Sequence, residues 1–176
     1  QYAWPVIREL GMKADIAVIG WSAGLDRDKD GKKIIPHFSW EQASEMVRSD
    51  KIRIHPHSYN MHEFSSDANV SRVGVLKRPD ESYGEYIAAF VEDLKKIGSM
   101  IRLKLGDSSN VFAYPYGESS PITEKLLESL GYDITLGIKD GVNVITKGDK
   151  SSLRLLKRIN ADGYEGDIVR FIETYY

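Results

Sequence analysis

IRIHPHSYNMHEF, residues 52–64, opens as a short apolar run and closes on a cluster of imidazoles: His55, His57 and His62, three of the 4 histidines in the chain. Imidazole is the commonest protein ligand for zinc-like metals, and a catalytic site combines a few such ligands with an open position. A lone histidine is usually a surface or core residue, whereas three this close together point toward a metal hydrolase. The spacing of His57 and His62 separates them around a helix and puts them on opposite faces of a strand. They converge only where His57 ends a strand and the chain then turns. Pro56, which donates no ladder bond, and the turn-favouring Ser58 and Asn60 predict such an ending. His55 and His57 would share one strand face and form the minor alternative pair.

Upstream, YAWPVIREL (2–10) predicts a helix with Pro5 near its first turn and Gly11 as its stop, and ADIAVIG (14–20) predicts a strand. The loop that follows carries Asp26, Asp28, Asp30 and Gly31, the opening D-x-D-x-D-G of a calcium loop. His37 stands where that loop needs a bidentate glutamate, so a solvated, charged excursion is the better reading. Ser39 and Gln42 form an S-x-x-Q capping box for a helix with Ala43, Met46 and Val47 on its inner face. A strand over 51–57 comes next. The histidines therefore stand at the C-terminal end of a strand, where the loops of α/β sheets and barrels converge on ligands.

Downstream, residues 82–105 predict a covering helix with an apolar stripe of Ile87, Phe90, Val91, Leu94 and Ile97, Lys95 and Lys96 lying on its solvated face. VFAYPYG (111–117) is a strand running into a Pro-Tyr-Gly turn, and a helix starts at Ser120 and Pro121 and stops at Gly131. YDITLGI (132–138) and VNVIT (142–146) predict strands joined around Asp140 and Gly141, LRLLKRIN (153–160) a further strand, and GDIVRFIETYY (166–176) a final helix. Strands alternating with helices predict an α/β fold, a barrel or open sheet of mostly parallel strands.

At 176 residues the chain fits one domain, 1–176, able to bury about 70% of the surface its unfolded form exposes. It has no cysteine, which excludes disulfides and thiolate metal sites. A net charge of −2, from 24 basic and 26 acidic residues, gives no electrostatic reason to expect nucleic acid. No apolar run is long enough for a transmembrane segment, and the first residues lack a signal-peptide pattern. The chain begins at Gln1 without an initiator methionine, so targeting information upstream is expected to have been removed.

Taken in order, ADIAVIG, the SWEQ helix, HSYNMH, AYPYG, LGY and LKRI resemble the polysaccharide deacetylases of carbohydrate esterase family 4 over nearly the whole chain. HSYNMH looks most like the branch that deacetylates the poly-N-acetylglucosamine of biofilms, and related Gram-positive extracellular deacetylases. The resemblance implies a distorted, incomplete (β/α) barrel and metal-dependent hydrolysis of N-acetyl groups from an N-acetylglucosamine polymer. It implies one divalent metal, zinc first with cobalt or nickel as alternatives, held by two histidines and an aspartate. By position His57 and His62 would be ligands, and Ser58 would shape the loop between them. Tyr116, after Pro115, would give its backbone N–H to the oxyanion while its ring and Pro115 line the sugar groove. Tyr59, Trp21 and Trp40 would be sugar-stacking surfaces or core. An extracellular or cell-envelope location follows from the same resemblance.

Two departures qualify it. The family's Asp-Asp pair, source of the base and the third metal ligand, would lie on a strand before Gln1. The expectation is thus an N-terminally truncated domain lacking its first strand, with impaired deacetylation unless a neighbouring chain or a local carboxylate such as Glu63 substitutes. The late Leu-x-His motif is also absent, and Lys157, Arg158 and Ile159 occupy its region, which leaves the general base and acid unidentified. The alternative is a catalytically inactive carbohydrate-binding pseudoenzyme.

Overall fold

A computed structural model describes residues 3–64 and 72–159. Helix α1 (Ala3–Glu9) leads into strand β1 (Ala14–Ile19), and helix α2 (Trp40–Arg48) into strand β2 (Ile52–Ser58). The long helix α3 (Tyr83–Leu105) precedes β3 (Val111–Ala113), and α4 (Pro121–Ser129) precedes β4 (Ile134–Leu136). Strands β1 and β2 pair in parallel, as do β3 and β4. The two pairs share no ladder, and the strands do not close among the described residues. This is the expected mixed α/β fold with an incomplete barrel.

The helix starts follow local chemistry. Ser39 and Gln42 complete a capping box at α2, with Gln42 N–H donating to Ser39 Oγ at 3.3 Å and Ser39 N–H to Gln42 Oε1 at 2.8 Å. Ser82 and Glu85 do the same for α3, which ends at the left-handed Gly106. Two apolar clusters result, and α3 spans both. Tyr86, Phe90 and Leu94 pack with Phe112, Tyr114 and Leu127 on the β3–α4 side. Ile97 and Ile101 pack with Val18, Ile52, Ile54 and Met46 on the β1–β2 side.

The structure corrects several sequence expectations. The buried stripe of α3 is Tyr86, Phe90, Asp93, Leu94, Ile97 and Ile101, while Ile87 is 38% exposed and Val91 only half-buried. Tyr86 turns inward because its hydroxyl donates to the Val75 carbonyl at 2.8 Å, which shifts the stripe by part of a turn. VNVIT is not a strand: Val144 is 84% exposed. Asn143 instead uses its side chain to bond Lys157 N–H and C=O at 2.8 and 2.9 Å. LRLLKRIN is not one strand either. Lys150–Leu153 is a 3₁₀ turn whose preceding residue, Asp149, accepts from Ser151 N–H, and beyond it, among the described residues, only Leu156 bridges in parallel to Leu136. The final helix expected over 166–176 lies outside the described residues.

Candidate active site

The candidate site starts from an irregularity in β2. Register runs evenly from Ala14 opposite Ile52 to Val18 opposite Pro56, and then Ile19 faces Ser58, so His57 is the extra residue of a β-bulge. The proline upstream, which cannot donate to the ladder, is the local cause. The bulge aims the His57 imidazole across to β3, where Nδ1 lies 2.7 Å from the Ala113 carbonyl. A carbonyl only accepts, so Nδ1 carries the proton and Nε2 keeps its lone pair. That side-chain bond joins the two strand pairs where no ladder does.

The chain then turns under the control of Asp93 on α3. Its two carboxylate oxygens accept from Tyr59 N–H at 2.6 Å and Asn60 N–H at 2.7 Å. Burial raises the Asp93 carboxyl above its usual range, opposed by these two bonds. With the turn pinned, His62 comes back beside His57, ring centroids 5.0 Å apart and planes tilted by 48°. His62 Nδ1 lies 3.1 Å from the Tyr116 hydroxyl, and the Tyr116 ring sits against both His62 and Phe64, at 4.5 and 5.1 Å. Ser58, between the histidines, is fully buried, and its Oγ has no partner among the described residues.

Tyr116 is held in the left-handed region, φ 57 and ψ 12, a conformation that costs a non-glycine residue free energy and needs a surround to impose it. Pro115 pre-sets the entry. A Cβ at Gly117 would meet Ile138 Cγ1 at 2.3 Å, and one at Gly74 would meet the Pro115 carbonyl at 2.7 Å, so the turn is closely packed on both sides. The N–H groups of Gly117 and Glu118 bond back to Tyr114 and Pro115 at 3.0 and 3.1 Å. The Tyr116 N–H has no such acceptor among the described residues.

Burial disfavours the charged form of both imidazoles. Burial pushes His57 down to about 4, helped by the charges of His62 and Arg158 and opposed by the Ala113 bond. Burial also lowers His62, with His37 contributing. Neutral rings with one engaged nitrogen and one uncommitted nitrogen are the donor type a divalent metal takes, provided His62 Nδ1–H donates to the phenol oxygen. Two such donors fit part of a metal site. Among the described residues no set of three imidazole or carboxylate groups is arranged to hold a metal ion. Glu63, the carboxylate expected to substitute, lies 3.9 Å from Lys29 Nζ.

Other residues singled out by sequence have different surroundings. His55 faces the same β3 side as His57, but both its nitrogens are engaged, with Ser109 Oγ at 2.7 Å and Asp15 Oδ1 at 2.8 Å. It therefore has no uncommitted nitrogen for the alternative pair. The Tyr59 ring packs on Gly20 and carries the Lys96 ammonium 3.8 Å from its centroid, so one face is covered. Trp40 is core, and Trp21 is half-buried with Lys29 above it at 5.1 Å. Asp28, in the calcium-like loop, spends Oδ1 on the N–H groups of Asp30 and Lys32 in a tight hairpin turn. Sequence reasoning missed Asp93, whose signal was a lone acid inside the apolar stripe of α3.

The profile of the polysaccharide deacetylase family matches residues 1–135. The chain belongs to the polysaccharide deacetylase family. Its similarity to a poly-β-1,6-N-acetyl-D-glucosamine N-deacetylase of Escherichia coli (strain K12) is 26% identity over 155 residues, 79% of this chain and 23% of the relative. The chain thus spans about a quarter of the length of the curated relatives it matches. Among solved structures, the fold is similar to that of a de-N-acetylase from Aggregatibacter actinomycetemcomitans, at TM-score 0.74 and 21% identity, covering 99% of this chain and 69% of that one. The IcaB structure from Ammonifex degensii matches at TM-score 0.71 and 23% identity, over 92% of this chain and 62% of that one. The BpsB deacetylase domain from Bordetella bronchiseptica matches at TM-score 0.72 and 23% identity, over 89% and 65%. At these identities the likeness to solved structures is one of fold.

Proposed function

We propose that this deacetylase-family chain acts on a polymer of N-acetylglucosamine, hydrolysing its N-acetyl groups in the cell envelope or outside the cell. His57 and His62 would hold one divalent metal, zinc by preference with cobalt or nickel as alternatives, and the metal when bound would supply Lewis-acid activation of water and of the acyl oxygen. The backbone N–H of Tyr116 would stabilise the oxyanion as the carbonyl becomes tetrahedral, and Pro115 with the Tyr116 ring would line the sugar groove. The observation that carries this reading is the juxtaposition of two neutral imidazoles with a strained turn whose N–H is unspent among the described residues.

With two imidazoles and no carboxylate beside them among the described residues, this chain by itself would hold metal weakly and turn over slowly. The test is acetate release from N-acetylglucosamine oligomers by the zinc-loaded full-length protein, with His57→Ala lowering the rate roughly a hundredfold or more. No acetate from that protein would remove the proposal. The same observation of a partial ligand set favours a second reading, a carbohydrate-binding pseudoenzyme, for which oligomers bind the full-length protein without turnover.

A further inference from the structure

Leu130, Gly131 and Tyr132, between α4 and β4, have no role in the proposed reaction. Gly131 N–H donates to Glu128 O at 3.0 Å and Tyr132 N–H to Leu127 O at 2.9 Å, the paired bonds of a helix stop built on a left-handed glycine, here at φ 86. That stop delivers the Tyr132 side chain to α3. Its ring packs edge-on to Phe112 at 6.0 Å, and the residue is only 7% exposed. The hydroxyl stands over Gly98 of α3, 3.5 Å from where a Cβ there would lie. A phenol this deeply placed normally finds a hydrogen-bond partner, but among the described residues none meets this one.

Tyr132 instead lines a cleft of about 260 Å³. The facing wall is one stripe of α3, Lys95, Gly98, Ser99 and Arg102, in which the two cations stand a helical turn to either side of the glycine. No carboxylate lines the cleft. Two charges bear on the phenol: Arg102 belongs to the cleft, whereas Asp93 does not line it and spends its oxygens on the Tyr59 and Asn60 N–H groups. An ammonium, a guanidinium and a buried hydroxyl around one opening suit an anion. Because they come from two walls, they match a tetrahedral oxyanion, with oxygens in several directions, better than a planar carboxylate. We infer that this cleft binds a phosphoryl group, held by Lys95 and Arg102 from α3 and by the Tyr132 hydroxyl from the other wall. The cleft shares no residue with the His57, His62 and Tyr116 group, so it stands or falls apart from the deacetylase reading.

The test titrates the protein at constant ionic strength with inorganic phosphate, glycerol phosphate and chloride, following the Gly98 and Ser99 amides and the Tyr132 ring by NMR. Both phosphates shift these signals and chloride does not. Tyr132→Phe removes one hydroxyl and keeps the ring on Phe112; it weakens phosphate binding roughly three- to tenfold and leaves thermal stability in phosphate-free buffer unchanged. Arg102→Gln weakens binding by a similar factor, and the Lys95→Gln/Arg102→Gln double variant reduces it below detection. Unchanged phosphate affinity in Tyr132→Phe, or a chloride response equal to that of phosphate, overturns the inference and leaves only two surface cations. Should Tyr132→Phe fail to fold, Arg102→Gln, altered at an exposed side chain, still decides: unchanged phosphate affinity there overturns it. Tighter binding of glycerol phosphate supports the inference with a phosphate ester as the source, and tighter binding of inorganic phosphate supports it with the free ion.

Discussion

His57 shows how one bulged residue couples stability to pH. Its imidazole titrates at about 4 in the folded protein against 6.5 for a free side chain, with burial as the main cause. The unfolded chain therefore takes up a proton as the pH falls through 6.5, while the folded protein does not until about 4. The stability from this group is complete above 6.5 and drains away as the pH falls toward 4. Roughly 3 kcal/mol is the ceiling for a single group shifted this far. Urea unfolding of the wild type near neutral pH and near pH 5 measures the loss, and His57→Gln flattens the profile apart from what His62 contributes. An identical profile in that variant would show that the His57 environment is not coupled to folding.

Two glycines separate conformation from packing at the level of elements. Gly106 closes α3 at φ 71, and a Cβ placed on it would meet nothing within 4 Å, so Gly106→Ala costs about 1 kcal/mol, from backbone conformation alone. Gly117 has a similar φ of 70, but its Cβ would lie 2.3 Å from Ile138. Gly117→Ala costs roughly 2–4 kcal/mol and displaces the Tyr116 turn. Thermal unfolding of the two variants side by side checks the difference, and equal losses would mean that Ile138 moves aside freely. The Pro-Tyr-Gly turn is legible in the sequence but this contact is not, because nothing local ties Ile138 to Gly117. The cap of α2 is likewise legible from adjacent residues. The α3 stripe instead reads as starting from Ile87, because the Tyr86 hydroxyl finds its acceptor at Val75, in a preceding loop.

For the whole molecule, Glu124 and Arg154 form a polar staple between distant segments among the described residues. Arg154 Nε donates to Glu124 Oε2 at 2.6 Å and Nη2 to the Glu124 carbonyl at 2.9 Å, while Nη1 reaches the Tyr132 carbonyl. The Tyr114 hydroxyl donates to the other carboxylate oxygen at 2.6 Å. Helix α4, the end of β3 and the 150s segment thus meet at one carboxylate. Arg154→Met leaves Glu124 half-satisfied and costs roughly 2–4 kcal/mol, and the Glu124→Gln/Arg154→Met double variant costs less than the sum of the two single losses. Denaturant midpoints for the three variants measure the coupling, and strict additivity would show that the pair acts independently.

By itself the sequence determined the order of helices and strands as far as β4, the capping box of α2, the turn residues and the spacing by which His57 and His62 are able to converge. These depend on neighbours a few positions apart. The tertiary structure alone decided that His57 occupies a bulge and bonds Ala113, that Asp93 holds the turn between the histidines, and that both nitrogens of His55 are engaged. It also decided that residues 142–158 make irregular pairings instead of two strands. The reason is the same in each case: backbone and side-chain polar groups must find partners when buried, and those partners lie far away along the chain.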